Sequence, residues 1–303
     1  MKINSLACTV LATLALVSCG GTSAVRKTIK NAPGTTPIVK DATREELIES
    51  YNSFAQGVKT INSTVELKPT AGSRYSGLIQ EYHEVKAFLL ASRPDSVRMI
   101  GQAPVIGTTV FDMASDSDTF RVSIPSKNKF LVGPVSLERT SSKPIENLRP
   151  QHLLDALLWP EIRKGEAVLF EEFNDENARY YVLTVLRGGY EKEVSSKIWF
   201  DRADLHVVRL QKYGPKGALL SDAHFSDWEP LVGDQEHTAD TPADAASFPR
   251  TIQLNRPHDD YTLDLQVTKL TLNGDIPADR FKIEQPAGSE LVRVGEDSAE
   301  KKP

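Results

Sequence analysis

The sequence predicts a mainly β protein with a few helices, in which a curved antiparallel sheet forms an incomplete barrel covered by a helical lid. Three observations lead to this fold class. Apolar and polar residues alternate over many short runs that are separated by polar turns, which is typical of antiparallel strands. Two amphipathic helices interrupt these runs. A sheet of about twelve strands must also curl, and its concave apolar face then needs a cover.

The composition is that of a folded protein, and it excludes nucleic acid as a partner. The chain has 303 residues, of which 40% are hydrophobic and 25% are charged, so it is long enough to bury a core. Its 36 basic and 41 acidic side chains leave a formal net charge of −5. Binding to the phosphates of nucleic acid requires the opposite balance of charge.

The N-terminal residues predict a secretory signal followed by a lipid anchor. Lys2 precedes an apolar run over Leu6–Val17, which is too short to span a bilayer stably. The tetrapeptide Leu16–Cys19 resembles the lipobox of bacterial lipoproteins, and this resemblance implies cleavage before Cys19 and lipidation of its thiol. Cys8 leaves with the signal, so the mature chain keeps no pair of cysteines for a disulfide. The alternative is an ordinary cleaved signal with a chance cysteine.

Composition also divides the rest of the chain. We expect a signal peptide over 1–18, a lipidated flexible tether over 19–40, one folded domain over 41–294 and a disordered charged tail over 295–303. The sequence shows no second apolar segment of about eighteen residues, so the lipid is the expected membrane attachment. Residues 234–246, rich in Asp, Thr and Pro, are predicted to form an insertion loop.

The folded domain is predicted to begin with a helix. Thr43 and Glu46 have the spacing of a capping box. Apolar residues then recur at spacings of four and three, as expected for one face of a helix, at Leu47, Tyr51, Phe54, Val58 and Ile61. Strands are predicted to start after Pro69, where the pattern changes to period two.

Two hairpins and a second helix are predicted next. The runs 85–90 and 97–100 flank a polar turn, and so do the runs 110–113 and 120–124. Pro150 suits the first position of a helix. The apolar stripe of this helix consists of Leu153, Leu154, Leu157 and Leu158, and it is predicted to end at Trp159 and Pro160.

The remaining runs predict an antiparallel meander. They cover 168–173, 180–186, 198–200, 205–210, 219–228, 248–254 and 261–267. A half-barrel lidded by helices is either packed solid or keeps a cavity for an apolar ligand, and periodicity does not distinguish these two outcomes.

The sequence carries no motif that would indicate an enzyme. Its six histidines do not fall into a zinc-binding spacing, and the nucleophile elbow and the phosphate-binding glycine loop are both missing. Asp222 with His224, and His258 with its two following aspartates, are interpreted as solvated polar edges rather than catalytic pairs. We therefore expect a non-enzymatic protein that uses no cofactor and no metal.

Four parts of the folded domain have a recognisable pattern, namely Ser92–Arg98, Phe111–Asp116 with Ile124–Pro125, Ile276–Phe281 and Gln285–Gly288. They are similar to segments of the LolA and LolB proteins, which carry lipoproteins across the bacterial envelope. The matching order of elements extends over Thr43–Val294. The resemblance implies an incomplete β-barrel with a helical lid over a hydrophobic cavity that holds acyl chains.

Two sets of site residues follow from this resemblance. We expect the cavity between lid and sheet to be lined by Tyr51, Phe54, Val58, Met99, Met113, Leu153, Leu154 and Leu157. The lipidated member of the family presents an apolar residue to the membrane from a loop between two early strands. The matching place here is Pro104–Gly107, so Val105 or Ile106 takes that role. The alternative is that these two aliphatic residues begin the next strand.

The resemblance implies an outer-membrane lipoprotein that faces the periplasm and accepts or carries lipoproteins. Its expected partners are the acyl chains of lipoproteins or another amphiphile, the membrane through the N-terminal lipid, and a periplasmic carrier protein. Gly20, the second mature residue, fits enterobacterial sorting to the outer membrane.

One alternative is an envelope stress or interaction sensor of similar fold that binds a protein partner. A structural lipoprotein with a solid core is the other.

Overall fold

The structure, a computed structural model, describes residues 39–73, 77–137, 147–174, 178–231 and 247–295. Cys19, the signal peptide 1–18 and nearly all of the tether lie outside the described residues, and so do the loop 234–246 and the tail after 295. The predictions for these segments stay predictions. Within the described ranges, the structure contains no helix with the length and apolar character needed to cross a membrane.

The described residues form fifteen strands and two α-helices, which confirms the mainly β fold class. The helices are α1 (Arg44–Gly57) and α2 (Leu154–Leu157), and a 3₁₀ turn (Pro150–Leu153) leads into α2. The strands are β1 (Thr60–Ser73), β2 (Leu78–Glu81), β3 (Val85–Ser92), β4 (Ser96–Gln102), β5 (Thr109–Ser115), β6 (Thr119–Ile124), β7 (Lys129–Pro134), β8 (Ala167–Asn174), β9 (Arg179–Arg187), β10 (Glu193–Asp201), β11 (Val207–Tyr213), β12 (Leu219–Pro230), β13 (Ser247–Arg256), β14 (Tyr261–Leu272) and β15 (Glu290–Arg293).

All of these strands belong to one curved, unclosed sheet. Its order is β15-β7-β6-β5-β4-β3-β1-β14-β13-β12-β11-β10-β9-β8, with β2 paired to β1. Two meanders are joined in the middle by the antiparallel pair β1 and β14, which runs from Ile61 opposite Leu272 to Ala71 opposite Tyr261. The antiparallel meander predicted for the runs from 168 to 267 is confirmed, since β8 to β14 pair consecutively and antiparallel. One pair departs from the antiparallel pattern, because β15 runs parallel to β7.

The start of α1 agrees with the sequence, whereas its end does not. The Glu46 backbone N–H donates to Thr43 Oγ1 at 3.3 Å, and the Thr43 N–H donates to Glu46 Oε2 at 2.7 Å, so the capping box is confirmed. The helix ends at Gly57, and Val58 is already extended. Ile61, predicted on the helix, lies in β1 because β-branched residues after the glycine favour a strand.

The first strand also begins earlier than predicted. β1 starts at Thr60 and includes Pro69, although proline cannot donate a backbone hydrogen bond to a neighbouring strand. Pro69 lies where β1 changes neighbours, because β3 pairs with residues 60–67 and β2 pairs with residues 70–73. The missing N–H of Pro69 therefore lies between the segment paired with β3 and the segment paired with β2, where it costs no hydrogen bond to either strand.

The second predicted helix is shorter in the structure, and three short strands escaped prediction. α2 is one turn long, because the residue before Pro160 is disfavoured in a helical conformation. The predicted hairpins β3–β4 and β5–β6 are confirmed. The strands that were missed are β2, β7 and β15, which have four, six and four residues and too few alternations to stand out.

The sheet has one buried face and one wet face. In β1, Ile61, Val65 and Leu67 are buried, whereas the intervening Asn62 and Glu66 are exposed. The inner face, toward which the buried residues point, receives α1 and α2. The outer face is polar over most of its area, and its strands align polar residues in rows.

Candidate functional site

The lid, defined as α1 together with Pro150–Ile162, is joined into one unit by side-chain hydrogen bonds. The Tyr51 hydroxyl donates to the Pro160 carbonyl oxygen at 2.9 Å. The Asn52 side-chain amide donates to the Ile162 carbonyl oxygen and accepts from the Ile162 backbone N–H, both at 2.9 Å. Burial raises the pKa of Tyr51, so its hydroxyl remains a donor. These bonds tie the two parts of the lid together.

Aromatic side chains pack between the lid and the inner face of the sheet. The ring centroid of Trp159 lies 5.5 Å from that of Tyr51 and 4.2 Å from that of Phe54. On the sheet side, Phe225 lies 5.0 Å from Trp159, and Phe248 lies 6.0 Å from Phe54. Aromatic pairs of this kind contribute about 0.5–1.5 kcal/mol beyond the burial of their area. Trp159 is thus the centre of the contact between lid and sheet.

The eight residues predicted to line a cavity are brought together in this region. Seven of them are buried in one hydrophobic core, and Leu154 is partly buried and packs against the same core. Met99 and Met113 lie directly opposite each other on β4 and β5. Two depressions on the outer face of the sheet involve none of these eight residues. In this structure the side chains pack on one another, and a ligand cavity among them stays a prediction.

Arg93, in the turn between β3 and β4, fastens the lid to the sheet. Its Nε donates to the Val58 carbonyl oxygen at 2.9 Å. Its Nη2 donates to the carbonyl oxygens of Ala55 at 2.5 Å and Trp159 at 2.8 Å. Burial lowers the pKa of the guanidinium, and the charge of Glu161 opposes this shift. One side chain therefore holds both parts of the lid by their backbone, a role that sequence reasoning missed.

A buried polar cluster holds the lid near the 3₁₀ turn. His152 Nδ1 lies 2.5 Å from the Tyr261 hydroxyl oxygen and 3.9 Å from a carboxylate oxygen of Asp259. Arg256 Nε donates to Asp259 at 2.9 Å. Burial lowers the pKa of His152, and the charges of Arg256 and Arg149 lower it further. The imidazole is therefore neutral at neutral pH and acts as a hydrogen-bonding partner of Tyr261.

The turn between β4 and β5 presents two aliphatic side chains to solvent. Val105 is 95% exposed and Ile106 is 74% exposed. The Gly107 backbone N–H donates to the Ala103 carbonyl oxygen at 3.0 Å, and its φ of +65° favours glycine. β5 begins at Thr109, so the alternative that these residues start the next strand is wrong. Their action at a membrane stays a prediction.

The outer face of the sheet has features that the sequence analysis missed. A depression of about 600 Å³ lies across β8–β13, and its lining includes Phe173, Tyr180, Trp199, Arg209, His224 and Gln253. A second, of about 360 Å³, lies along β1 and β14. In β10 to β13 the alternation of buried and less buried residues marks Trp199, Arg209, His224 and Gln253 as outward-facing. Only the register of six strands brings the lining of the larger depression together.

The interpretation of two aspartates as solvated edges is corrected by the structure. Asp222 is buried and accepts two hydrogen bonds from Arg209, at 2.7 and 2.6 Å. Asp259 is buried as well and is paired with Arg256. Each carboxylate is therefore buried and paired with an arginine, although Arg209 itself stays partly exposed. Among the residues that the structure describes, no three or more side chains of His, Cys, Asp or Glu are grouped as a metal site would require.

No protein-family model and no curated protein matches the sequence. The structure is similar to that of a LolA superfamily protein from Nitrosomonas europaea, with 13% identity and a TM-score of 0.46, over 80% of this chain and 99% of that one. It is similar to a DUF1329 family protein from Desulfovibrio piger, with 15% identity and a TM-score of 0.46, over 78% and 96%. A domain described as an outer membrane lipoprotein-sorting protein, from Vibrio parahaemolyticus, is 12% identical with a TM-score of 0.42, over 79% and 97%.

The class of protein that the fold defines is one with a curved, unclosed sheet and a helical lid on its inner face.

Proposed function

We propose that this chain is a lipid-anchored envelope protein that holds the acyl chains of lipoproteins or of another amphiphile beneath its lid. In this role it acts as an acceptor or carrier at the outer membrane, facing the periplasm. A periplasmic carrier protein is the partner that delivers cargo, and the N-terminal lipid at Cys19 is the membrane anchor. Neither a catalytic group nor a cofactor takes part.

The observation that supports this proposal most is the construction of the lid. Its underside is apolar and aromatic, through Tyr51, Phe54 and Trp159, and it covers an apolar sheet face. Polar bonds fasten it to the sheet at Arg93, at His152 and at Asp155, which pairs with Lys212 at 2.5 Å and with Arg256 at 3.4 Å. A lid that opens as one unit exchanges these bonds for water and exposes a continuous apolar surface.

Acyl chains would bind by replacing the lid on that surface. Each buried CH₂ group contributes about 0.8 kcal/mol, so a chain of ordinary length offsets the loss of several side-chain contacts. The closed form with its packed core is then the unloaded state, and the ligand selects a minor open state. Val105 and Ile106 would contact the bilayer while acyl chains are taken up from it or released into it.

A second candidate function is that of a structural lipoprotein whose core never opens. The packing of Trp159 against both lid and sheet favours it, because every contact made in the closed form must be broken for a ligand to enter. The two functions differ in one property, which is whether loosening the lid changes the binding of an acyl chain.

Replacing Arg93 by leucine is expected to tighten the binding of a fluorescent fatty acid about tenfold. The variant removes three hydrogen bonds from the closed lid, and losing bonds to a charged donor costs about 1.5 kcal/mol or more. A shift of that size raises the population of the open state about tenfold, and the apparent affinity rises by the same factor. The measurement is a fluorescence titration of a soluble chain that begins at residue 19 and carries Cys19→Ala.

Arg121→Leu is the matched control, since Arg121 pairs with Asp116 on an exposed turn away from the lid. Its affinity should equal that of the parent chain, and Arg93→Lys should fall between parent and leucine variant. Circular dichroism checks that each variant is folded. An Arg93→Leu chain that is folded and binds the fatty acid no differently from the parent favours the structural lipoprotein.

A further inference from the structure

The larger depression of the outer face has the dimensions and the aromatic wall of a small-molecule site. Its volume of about 600 Å³ lies within the range of about 300–1,000 Å³ found for such sites. Phe173 and Tyr180 stand nearly perpendicular to the ring of Trp199, with centroids 5.4 and 5.7 Å away. Phe173 is 46% exposed at the edge of the sheet. Large aromatic surface on an otherwise polar face is the kind of feature that marks a binding site.

A row of hydrogen-bonding side chains continues from this aromatic wall. Trp199 lies opposite Arg209, Arg209 opposite His224, and His224 opposite Gln253, so the four share one line across β10–β13. Thr251, on the neighbouring row of β13, also lines the depression. Guanidinium, imidazole, amide and hydroxyl groups thus lie beside the aromatic rings. The Gln253 amide already donates to Asp264 at 2.7 Å, and the Thr251 hydroxyl already bonds to Asp227 and Gln266, so a ligand would exchange these bonds for its own.

A β-bulge shapes the depression between the wall and the row. Phe200 pairs with Val207 and Trp199 with Arg209, so Val208 is an extra residue in β11. Bulges increase the local twist of a strand and redirect its side chains, and they are frequent beside functional sites. Here the bulge residue, Val208, directly precedes Arg209 in β11, beside Trp199 on the neighbouring strand β10.

The charges of the depression cancel. Arg209 donates two hydrogen bonds to the buried Asp222, and His224 Nε2 lies 3.4 Å from the same carboxylate. Burial alone would raise the pKa of Asp222, but the hydrogen bonds and charges of Arg209 and His224 outweigh burial and lower it. The Arg209 guanidinium lies 5.6 Å from the centroid of the Trp199 ring. The depression therefore contains a fixed, neutral ion pair stacked on an aromatic side chain.

This arrangement excludes several classes of ligand. A phosphate or carboxylate would find its cationic partner already neutralised by Asp222. A cation would meet the guanidinium of Arg209 beside the Trp199 ring. An acyl chain would remove water from polar side chains such as His224 without offering them hydrogen bonds, which costs free energy. What remains is a neutral ligand that has both apolar faces and many hydroxyl groups.

We propose that this depression binds a neutral saccharide. The C–H face of a pyranose ring packs against the wall formed by Phe173, Tyr180 and Trp199. Its hydroxyl groups accept hydrogen bonds from the Arg209 guanidinium and exchange hydrogen bonds with the side chains of His224 and Gln253. The depression lies on the face of the sheet opposite the lid, although Phe225 contributes to both. A glycan bound there would attach the tethered body while the lid side remains available.

Isothermal titration calorimetry of the purified full chain with maltotetraose and with chitotetraose tests this site. One probe is a plain glucan and the other is N-acetylated, so their comparison separates two sources of neutral glycan. Binding of at least one is expected. Trp199→Ala should weaken it about tenfold through loss of the aromatic contact, and Trp199→Phe should restore part of the affinity. Phe88→Ala is the matched control, because Phe88 is an exposed aromatic residue on the outer face of β3, outside the depression.

The possible results either support the saccharide site or overturn it. Saccharide binding that is lost in Trp199→Ala and kept in Phe88→Ala supports the site. Absence of heat with both saccharides overturns it, and so does binding that is unchanged in a folded Trp199→Ala chain. Binding of inorganic phosphate or of dodecanoate that depends on Trp199 overturns the class of ligand. Dodecanoate binding that Trp199→Ala leaves unchanged belongs to the lid and has no bearing on the depression, while the saccharide titrations still decide the site.

Discussion

Replacing Trp159 by alanine is expected to lower the free energy of unfolding by about 3–5 kcal/mol, the range for removing a buried tryptophan. Trp159 is buried and contacts Tyr51 and Phe54 on the lid and Phe225 on the sheet. Its indole nitrogen also donates to the Ala156 carbonyl oxygen at 3.1 Å. Alanine leaves a cavity at the point where lid and sheet meet. Equilibrium unfolding in urea measures the change.

Trp199→Ala provides the matched control for stability. Trp199 is a partly exposed tryptophan on the outer face, and its removal leaves a surface that water can fill, so a loss well below that of Trp159→Ala is expected. A Trp159→Ala chain that unfolds at the same urea concentration as the parent would contradict the packing of the lid described here. Equal losses in the two variants would contradict it as well.

Replacing both Val105 and Ile106 by aspartate is expected to lower liposome binding about a hundredfold. Burying the two aliphatic side chains in a bilayer contributes about 3 kcal/mol or more, which corresponds to about two orders of magnitude in affinity. Folding should be unchanged, because both side chains are exposed and make no contact with the core. The measurement is co-sedimentation with liposomes of a chain that carries Cys19→Ala and therefore lacks the proposed anchor.

Ile79→Asp together with Leu169→Asp is the matched double control. Both residues are exposed aliphatic side chains on other strands, β2 and β8. This control should bind liposomes like the parent chain. The role of the tip is disproved if the tip variant is folded and sediments with liposomes as the parent does, or if the control loses as much binding.

The elements that the sequence predicted correctly are those with strong local signals. The capping box of Thr43 and Glu46 is a contact between residues three apart. The turn 93–96 contains Pro, Asp and Ser between two alternating runs, and a hairpin forms there. These patterns are formed by residues close together in the sequence, so they are recognised without knowing which distant residues they contact.

The features that were missed depend on distant contacts. Ile61 continues the spacing of the helix, and only its pairing with Leu272, far along the chain, shows that it belongs to a strand. Arg93 looked like an ordinary turn residue because its partners are backbone carbonyls, which leave no trace in the sequence. Likewise, the outer depression exists only once the register of β8–β13 is known.

The candidate site was predicted in part. Tyr51, Phe54 and Leu157 do lie between lid and sheet, as their periodicity and the family resemblance indicated. Whether such side chains surround a ligand or pack on one another depends on how closely two surfaces fit, and that fit is a property of the whole fold. In the structure these side chains pack on one another.

Mass spectrometry of lipid extracted from the purified protein tests the central claim most directly. The chain is secreted with a cleavable signal and carries Cys19→Ala, so that no covalent lipid contributes to the extract. If the lid covers an acyl-binding surface, the extract contains acyl lipids in an amount comparable to the protein, and Leu154→Glu, which places a charge beneath the lid, removes them. An extract from the folded parent protein that contains no acyl lipid, or as much lipid from Leu154→Glu as from the parent, would contradict acyl binding beneath the lid.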